Sequence, residues 1–256
     1  MAGVEYRSSS PSLQEAVSGA TTVVHLAAVT TPATSVARPS LEDENIRFTL
    51  ALSDACSKTG VEHLIYASSG GTVYGEAFAP VDERQPINPM CPYAAAKAAC
   101  ENHLREFAAA SPTMVTVLRM SNAYGGGQVK QGDQGVVSFL AKQIIQGQEV
   151  PLFGNTIRDY VYIEDVVRAF AAAVTRPSKF EIYNISTGVG AYLVDLAQLV
   201  ARLLNKDARL VVGMPRPFDL HCNVLKNDKA KSMLDWSPRY SLEDGLGEYL
   251  KEFALE

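Results

Sequence analysis

The chain has 256 residues, a formal net charge of -5 and 47% hydrophobic residues, enough for a packed core. The mild acidity argues against binding to nucleic acid or to an anionic membrane surface. No apolar run reaches the roughly 20 residues of a membrane span, and the polar start, Met1–Ser10, lacks the apolar core of a signal peptide. Four cysteines without paired spacing predict reduced thiols in a cytoplasmic protein and no metal site: Cys56, Cys91, Cys100 and Cys222.

Short apolar runs alternate with amphipathic stretches, a pattern that is typical of an α/β fold with a parallel sheet. Strands or extended segments are predicted over 22–28, 63–67, 114–118, 160–163 and 182–185. Helices are predicted over 41–58, 93–110, 136–146, 164–174 and 193–204, and a final helix runs from 241 to about 253. Ser40 with Asp43, and Ser241 with Asp244, have the spacing of a capping box, and Gly60 is placed to end a helix.

Tyr93 and Lys97 stand four residues apart in a predicted helix, which places both side chains on one helix face. Taking a proton from an alcohol hydroxyl needs a base, and the pKa of a free tyrosine, about 10, is too high for that at neutral pH. A nearby ammonium favours the phenolate and lowers its pKa, so the pair can work as a base with its tuning lysine. The same spacing also describes an ordinary pair on a helix surface.

Motifs along residues 20–250 resemble, in the same order, those of the extended short-chain dehydrogenase/reductases. The subgroup that they resemble most is that of the nucleotide-sugar epimerases and dehydratases, such as UDP-glucose 4-epimerase. The matching segments are Val24–Ala28 (VHLAA), Asn45, Ser68–Gly75 (SSGGTVYG), Pro92–Lys97 with Glu101 (PYAAAK and E), Leu118–Gly125 (LRMSNAYG), Leu152–Asp165, Arg216–Asp219 (RPFD) and Leu234–Pro238 (LDWSP).

The resemblance implies a Rossmann-like parallel sheet with a small C-terminal α/β lobe. Residues 1–125 with about 160–186 would form the dinucleotide-binding domain, and about 126–159 with 187–256 would form the substrate-binding lobe. Members of this family begin with a Gly-rich βαβ unit that holds a pyrophosphate, but the 256 residues contain no GxxGxxG. We therefore expect a fold without this first unit, in which the strand at 22–28 has an exposed edge and the affinity for NAD is reduced.

The resemblance also assigns roles to individual residues. Tyr93 would be the general base, and Lys97 would tune its pKa and hold the cofactor ribose. Gly70 stands where the family has its catalytic hydroxyl, so Ser69, or else Thr72, is expected to supply that group. The residues expected on the NAD side are Ala27, Ala28, Asn45 and Lys97. Those expected to contact a nucleotide-diphosphate sugar are Asn122, Phe153, Arg158 and Arg216, with the two arginines on the diphosphate.

These assignments favour a nucleotide-sugar 4-epimerase with tightly bound NAD, because the Gly70–Thr72 turn has no carboxylate for a dehydration. A nucleotide-sugar keto-reductase fits the same residues. The missing Gly-rich unit favours instead a degenerate or truncated homologue that binds a nucleotide sugar or a partner without turnover. An acid–base enzyme that no longer uses NAD is not separable from that alternative. The resemblance finally implies a homodimer through the helices that hold Asn45 and Tyr93, with alanines 94, 95, 98 and 99 on the packing face.

Overall fold

The strands of the central sheet are built from continuous apolar runs, as expected for strands that are covered on both faces. The computed structural model describes residues 12–77, 79–127, 135–216 and 219–254. Its strands are β1 (Thr22–His25), β2 (His63–Ser69), β3 (Met114–Met120), β4 (Asn122–Tyr124), β5 (Glu149–Phe153), β6 (Ile157–Tyr162), β7 (Phe180–Ile185), β8 (Gly190–Tyr192), β9 (Arg209–Gly213) and β10 (Cys222–Asn223). Six of the seven residues of β2 are buried, which makes it the clearest example.

The helices pack on both faces of this sheet and around the smaller sheets. They are α1 (Leu13–Val17), α2 (Pro32–Ala37), α3 (Glu42–Thr59), α4 (Gly70–Val73), α5 (Pro92–Ala110), α6 (Val136–Ile145), α7 (Ile163–Thr175), α8 (Leu193–Leu203), α9 (Asp228–Leu234) and α10 (Leu242–Leu250). Short 3-10 turns span Pro39–Leu41 and Lys251–Ala254. None of the described helices has the combination of length and apolar character that a membrane crossing needs.

The central sheet has four parallel strands in the order β1-β2-β3-β7. The register pairs His25 with Tyr66 and Ser69 with Met120, so these strands end along one edge of the sheet. That edge is where ligands bind in open α/β sheets. Within the described residues β1 and β7 are the outer strands of this sheet, and the Val24 side chain of β1 is 40% exposed.

Two apolar cores cover the two faces of the sheet. One lies under α3 and α5 and includes Leu52, Cys56, Leu104 and Val117. The other lies under α7 and α9 and includes Trp236, whose indole Nε1 donates to the Asp165 carbonyl at 2.9 Å. The fold is therefore a mixed α/β fold with a parallel sheet, as the sequence predicts.

A third core joins α6, α8 and α10 to the smaller sheets. In one of these sheets β6 lies between β4 and β10, both parallel to it, and also pairs with the antiparallel β8, while β5 and β9 form a separate parallel pair. The buried Asp159 of β6 accepts hydrogen bonds from the Ser121 hydroxyl, the Thr187 amide and hydroxyl, and the Gly188 amide. This carboxylate therefore joins β6 to the residue between β3 and β4 and to the turn between β7 and β8. The predicted domain boundaries stay a prediction.

The predicted helices over 41–58, 93–110, 136–146, 164–174 and 193–204 are present to within one or two residues. Gly60 ends α3 with φ 76°, and the Ser241 hydroxyl accepts from the Asp244 amide as predicted. The predicted Ser40 cap is wrong, because Ser40 lies in the 3-10 turn that leads into α3 without a side-chain cap. All four cysteines are free thiols, in agreement with the sequence prediction.

Candidate active site

The predicted catalytic residues meet where β2 ends and α5 begins. Ser69 is the last residue of β2, and the turn of α4 follows it directly. Pro92 lies at the start of α5, where its fixed φ suits the first helical turn, and Tyr93 and Lys97 follow. The structure therefore brings Ser69, Tyr93 and Lys97 together from two elements.

Lys97 is buried, with 7% of its surface exposed. Its Nζ donates to the Ala67 carbonyl at 2.9 Å and lies 4.8 Å from the Tyr66 ring centroid and 5.6 Å from that of Tyr93. Burial lowers the pKa of the Lys97 ammonium, because desolvation disfavours its charged form. Nearby acidic groups oppose this shift in pKa: Cys100, Glu42 and Glu101.

Tyr93 is harder to ionise in this site than the sequence suggests. Burial raises the pKa of its phenol to about 12, and the negative charge of Glu42 adds to the increase. The hydrogen bond from the Ser69 side chain lowers the pKa but does not offset the burial. The lowering of the Tyr93 pKa that the Tyr93–Lys97 spacing predicts is therefore not found, because burial of the phenol raises its pKa instead.

The two candidate hydroxyls differ in what they contact. The Ser69 side chain lies close enough to the Tyr93 phenol to lower its pKa. The Thr72 hydroxyl instead donates to the Ser69 backbone carbonyl at 3.3 Å. Only Ser69 therefore has its side chain on Tyr93, which favours it as the partner of the base.

Asn45 fixes the loop that follows β1. Its Oδ1 accepts from the Val29 amide at 2.9 Å, and its Nδ2 donates to the Thr30 hydroxyl at 2.8 Å and to the Glu42 carboxylate at 2.7 Å. This loop carries Ala27 and Ala28, both exposed beyond the end of β1. Asn45 thus acts on the predicted cofactor side by holding the backbone.

All four predicted substrate residues line one cavity of about 630 Å³, which is large enough for a nucleotide sugar. Arg216 makes a bidentate contact with Asp219, at 2.8 Å from Nε and 2.9 Å from the second nitrogen, and stacks 5.1 Å from the Phe153 ring centroid. Other wall residues include Gly71, Thr72, Met90, Cys91, Tyr160 and Leu220. Gly71, Thr72 and Cys91 connect this cavity to the segments that hold Ser69 and Tyr93.

Arg158 and Asn122 form the part of the cavity wall nearest β6. Arg158 donates to the carbonyl of Ile157 at 2.9 Å, and burial lowers the pKa of its guanidinium. The Asn122 amide nitrogen donates to the Asp159 carbonyl at 2.9 Å. Two guanidinium groups on one cavity wall suit a diphosphate, which accepts paired hydrogen bonds.

A buried polar network supports the catalytic helix from behind. Arg119 of β3 donates to both carboxylate oxygens of Glu101, and Glu101 also accepts from Ser68 at 2.5 Å. The Arg119 guanidinium also donates to the Tyr74 hydroxyl at 2.9 Å, and this hydroxyl donates to the Asn184 side-chain oxygen at 2.7 Å. The network joins α5 to β2, β3 and β7, so it fixes the position of Lys97 one turn before Glu101.

Sequence reasoning missed Glu42 and Asp219 as parts of the site. Asp219 stands three residues after Arg216, and that spacing is the signal that could have found it. Glu42 gives no such signal, because its place beside the site depends on how α3 packs on α5. His25 lies in the core, 3% exposed with its Nε2 2.9 Å from the Thr49 hydroxyl.

A parallel sheet with a tyrosine, a lysine and a serine at its carboxyl edge is the arrangement of an extended short-chain dehydrogenase/reductase. Residues 4–186 match the profile of the NAD dependent epimerase/dehydratase family. The chain belongs to this family.

Three known proteins illustrate the similarity. A UDP-glucose 4-epimerase of Thermotoga maritima, solved with UDP-glucose, has a TM-score of 0.90 at 35% identity, over 95% of this chain and 82% of that one. The Thermus thermophilus UDP-glucose 4-epimerase complex with NAD has a TM-score of 0.87 at 33% identity, over 94% and 81%. A dTDP-4-dehydro-6-deoxyglucose reductase of Escherichia coli is 32% identical over 92% of this chain and 75% of its own length.

The residues present fit one half of a dinucleotide. Tyr93, Lys97 and the exposed Ala27–Ala28 backbone are the groups that would hold a nicotinamide and its ribose, and Glu42 offers a buried carboxylate oxygen without a partner. At the β1 edge the described residues provide no Gly-rich turn and helix N-terminus for the pyrophosphate. In the same part of the chain no three His, Cys, Asp or Glu side chains gather as a metal site.

Proposed function

We propose that this chain is a nucleotide-sugar 4-epimerase. The observation that carries the proposal is the junction of two features: the Ser69, Tyr93 and Lys97 group lies beside a cavity that Arg158, Arg216 and Phe153 line. The cavity would hold the nucleotide diphosphate at its arginines and present the sugar to Tyr93. The same group suits hydride transfer at an alcohol carbon, which is the first half of an epimerisation.

In this proposal Tyr93 accepts the proton of the sugar 4-hydroxyl, and Ser69 orients that hydroxyl through its contact with Tyr93. Lys97 binds the ribose of the cofactor and supplies a positive charge near the phenolate. NAD, when bound, would accept the hydride from the sugar. Arg158 and Arg216 bind the diphosphate, and Phe153 lies against the nucleotide base.

The test is an assay of UDP-glucose and UDP-galactose interconversion by the purified chain with added NAD. Tyr93→Phe removes the base and keeps the ring, so turnover should fall by roughly 10²- to 10⁴-fold while UDP-glucose still binds. Calorimetry with UDP-glucose measures the binding. Full turnover in Tyr93→Phe would contradict the role given to Tyr93.

A second candidate is a protein that binds a nucleotide sugar without redox turnover. Two observations favour it. The 256 residues contain no GxxGxxG, and apolar residues are exposed around the end of β1, namely Val24, Leu26 and Val29. A titration with NADH, followed by its fluorescence, separates the two candidates. Saturation at micromolar NADH supports the epimerase, and the absence of binding up to millimolar NADH supports the second candidate. A keto-reductase would instead consume NADH with a keto-sugar substrate.

We also propose a homodimer through α3 and α5 in the cytoplasm, where free thiols persist. Two of the four alanines expected on the packing face, Ala95 and Ala99, are exposed, whereas Ala94 and Ala98 are buried inside the chain. The packing face is therefore narrower than the sequence suggested. A light-scattering mass of one chain would contradict the dimer.

A further inference from the structure

Four charged side chains are buried around the catalytic helix, where an unpaired ion costs several kcal/mol. They are Glu42, Lys97, Glu101 and Arg119. Glu101 and Arg119 form a direct ion pair at 2.5 Å, so their charges offset each other. One buried cation, Lys97, and one buried anion, Glu42, remain.

Glu42 lies in the first turn of α3 and is 6% exposed. Its Oε2 accepts from the Asn45 amide at 2.7 Å, and its Oε1 is buried without a hydrogen-bond partner among the described residues. Burying a carboxylate in this way is costly unless a positive charge lies close to it. Helices α3 and α5 pack side by side in the same direction, since Ser53 contacts His103 at 2.8 Å and Cys100 contacts Thr49 at 3.4 Å. The start of α3, with Glu42, therefore lies beside the start of α5, with Tyr93 and Lys97.

The Lys97 ammonium, like the Glu42 carboxylate, has fewer hydrogen bonds than it can form. Within the described residues its Nζ makes one hydrogen bond, to the Ala67 carbonyl, although an ammonium has three donors. The charge of Glu42 raises the pKa of Lys97 and also that of Tyr93, so both members of the pair respond to it. The titratable groups around Lys97 are His25, Glu42, Tyr66, Tyr93, Cys100 and Glu101.

We infer that Glu42 is a positioning residue of the Tyr93–Lys97 pair, whose carboxylate is the buried counter-charge that keeps the Lys97 side chain an ammonium. Asn45 holds that carboxylate and the loop after β1 together, so the counter-charge and the predicted cofactor wall share one support. The inference rests on the proposed function for its catalytic meaning, because an ammonium at Lys97 matters only if Tyr93 acts as a base.

The experiment titrates Lys97 in the full chain by NMR of ¹³C-labelled lysine side chains, with the Lys97 signal assigned by its loss in Lys97→Arg. In Glu42→Gln, which keeps the shape and the acceptor for Asn45, the Lys97 pKa should fall by about one unit, the size of effect that a nearby charge has. Glu42→Asp keeps the charge and should restore most of the shift. Glu44→Gln, an exposed acid in the same turn, is the matched control and should change nothing.

An unchanged Lys97 pKa in a folded Glu42→Gln chain would overturn the inference. If Glu42→Gln does not fold, Asn45→Ala decides, because it removes the amide that holds the Glu42 carboxylate in place. The Lys97 pKa should then fall as well, and an unchanged value would overturn the inference. Neither titration needs turnover, so an inactive chain with coupled Glu42 and Lys97 would reject the proposed function alone.

Discussion

At the scale of single residues, the contact between Ser69 and Tyr93 decides which hydroxyl belongs to the proposed catalytic group. The family position for this hydroxyl holds Gly70, and an ideal Cβ at Gly70 would lie 2.9 Å from the Arg119 carbonyl. No side chain fits there, so the hydroxyl has to come from a neighbour. The end of β2 places Ser69 on Tyr93 without a bulge.

Ser69→Ala should lower kcat of the proposed epimerase about 10- to 100-fold, because a hydrogen bond to a group that becomes charged is worth about 1.5–3 kcal/mol. Thr72→Val is the matched control, since its hydroxyl contacts only a backbone carbonyl, and it should change kcat little. Steady-state assays of both variants check this. A larger loss in Thr72→Val than in Ser69→Ala would reverse the assignment.

The buried His25 makes the stability of the chain depend on pH. Burial, and then the charge of Lys97, lowers the pKa of its imidazole to about 4 from 6.5. The unfolded chain therefore binds a proton that the folded chain does not, and the stability from this group, present above pH 6.5, is lost as the pH falls towards 4. At pH 5 the loss is about 2 kcal/mol relative to pH 7.

Urea unfolding at pH 7 and pH 5 measures this loss. His25→Phe keeps an aromatic ring beside Phe48 and Tyr66 and removes the titrating group, so the difference between the two pH values should shrink. His221→Asn is the control, and it should keep the difference of the original chain. An equal difference in His25→Phe would show that other groups carry the pH dependence.

At the scale of helices and strands, the sequence predicted the parts whose signal is local. Helices α3 and α5 have long periodic patterns, and Gly60 and Ser241 mark real helix ends. The short β4, β8 and β10 have two or three residues each and exist because β6 and its neighbours pair with them, so their own residues carry no clear pattern. Helix α2 was missed as well: Thr31 and Pro32 are helix-start signals, but its six residues are too few for a periodic apolar pattern.

The site divides in the same way. Each of the predicted site residues that the sequence identified belongs to a motif of a few consecutive residues. They are Tyr93, Lys97, Arg158 and Arg216. Glu42 enters the site through the packing of α3 on α5, and the pKa of Tyr93 is set mainly by burial, and neither can be read from local spacing. Tertiary contacts supply what the motifs do not.

Helix α10 contains two glycines with opposite expected effects. A Cβ at Gly245 would collide with the Tyr124 hydroxyl and lie 3.1 Å from Tyr162, whereas a Cβ at Gly247 meets nothing within 4 Å. Gly247→Ala should stabilise the chain by about 0.5–1 kcal/mol through helix propensity. Gly245→Ala should destabilise it by about 1–3 kcal/mol, because the overlap outweighs that gain.

Thermal unfolding of the two variants side by side checks the prediction. Both changes add the same methyl group to the same helix, so propensity alone would move the two melting temperatures in the same direction. Opposite shifts are the expected result. A stabilised Gly245→Ala chain would mean that α10 does not pack closely against Tyr124 at Gly245.

At the scale of the whole molecule, β1 forms one edge of the described sheet, and apolar side chains are exposed around the end of this strand. Val24, Leu26 and Val29 are 40%, 62% and 57% exposed around the end of this strand. An outer strand with exposed apolar side chains pairs readily with other chains. Besides the proposed α3–α5 contact, this edge is thus a second part of the described surface where molecules can associate.

Val24→Lys should reduce concentration-dependent light scattering of the purified chain, since a lysine on an outer strand opposes pairing with another strand. Val189→Lys is the control: Val189 is 70% exposed but lies in the loop before β8, away from the edge, and its replacement should leave scattering unchanged. Equal effects of the two lysines would point to net charge as the cause.

Asp159 has a consequence for the timescale on which the cavity floor opens. The amide protons of Thr187 and Gly188 are both held by this one carboxylate, which also holds the Ser121 hydroxyl. These amides can exchange with deuterium only when the turn that carries them moves away from this carboxylate. Their exchange rates therefore measure one shared opening event, and a ligand that presses Asn122 against Asp159 should slow both amides by the same factor.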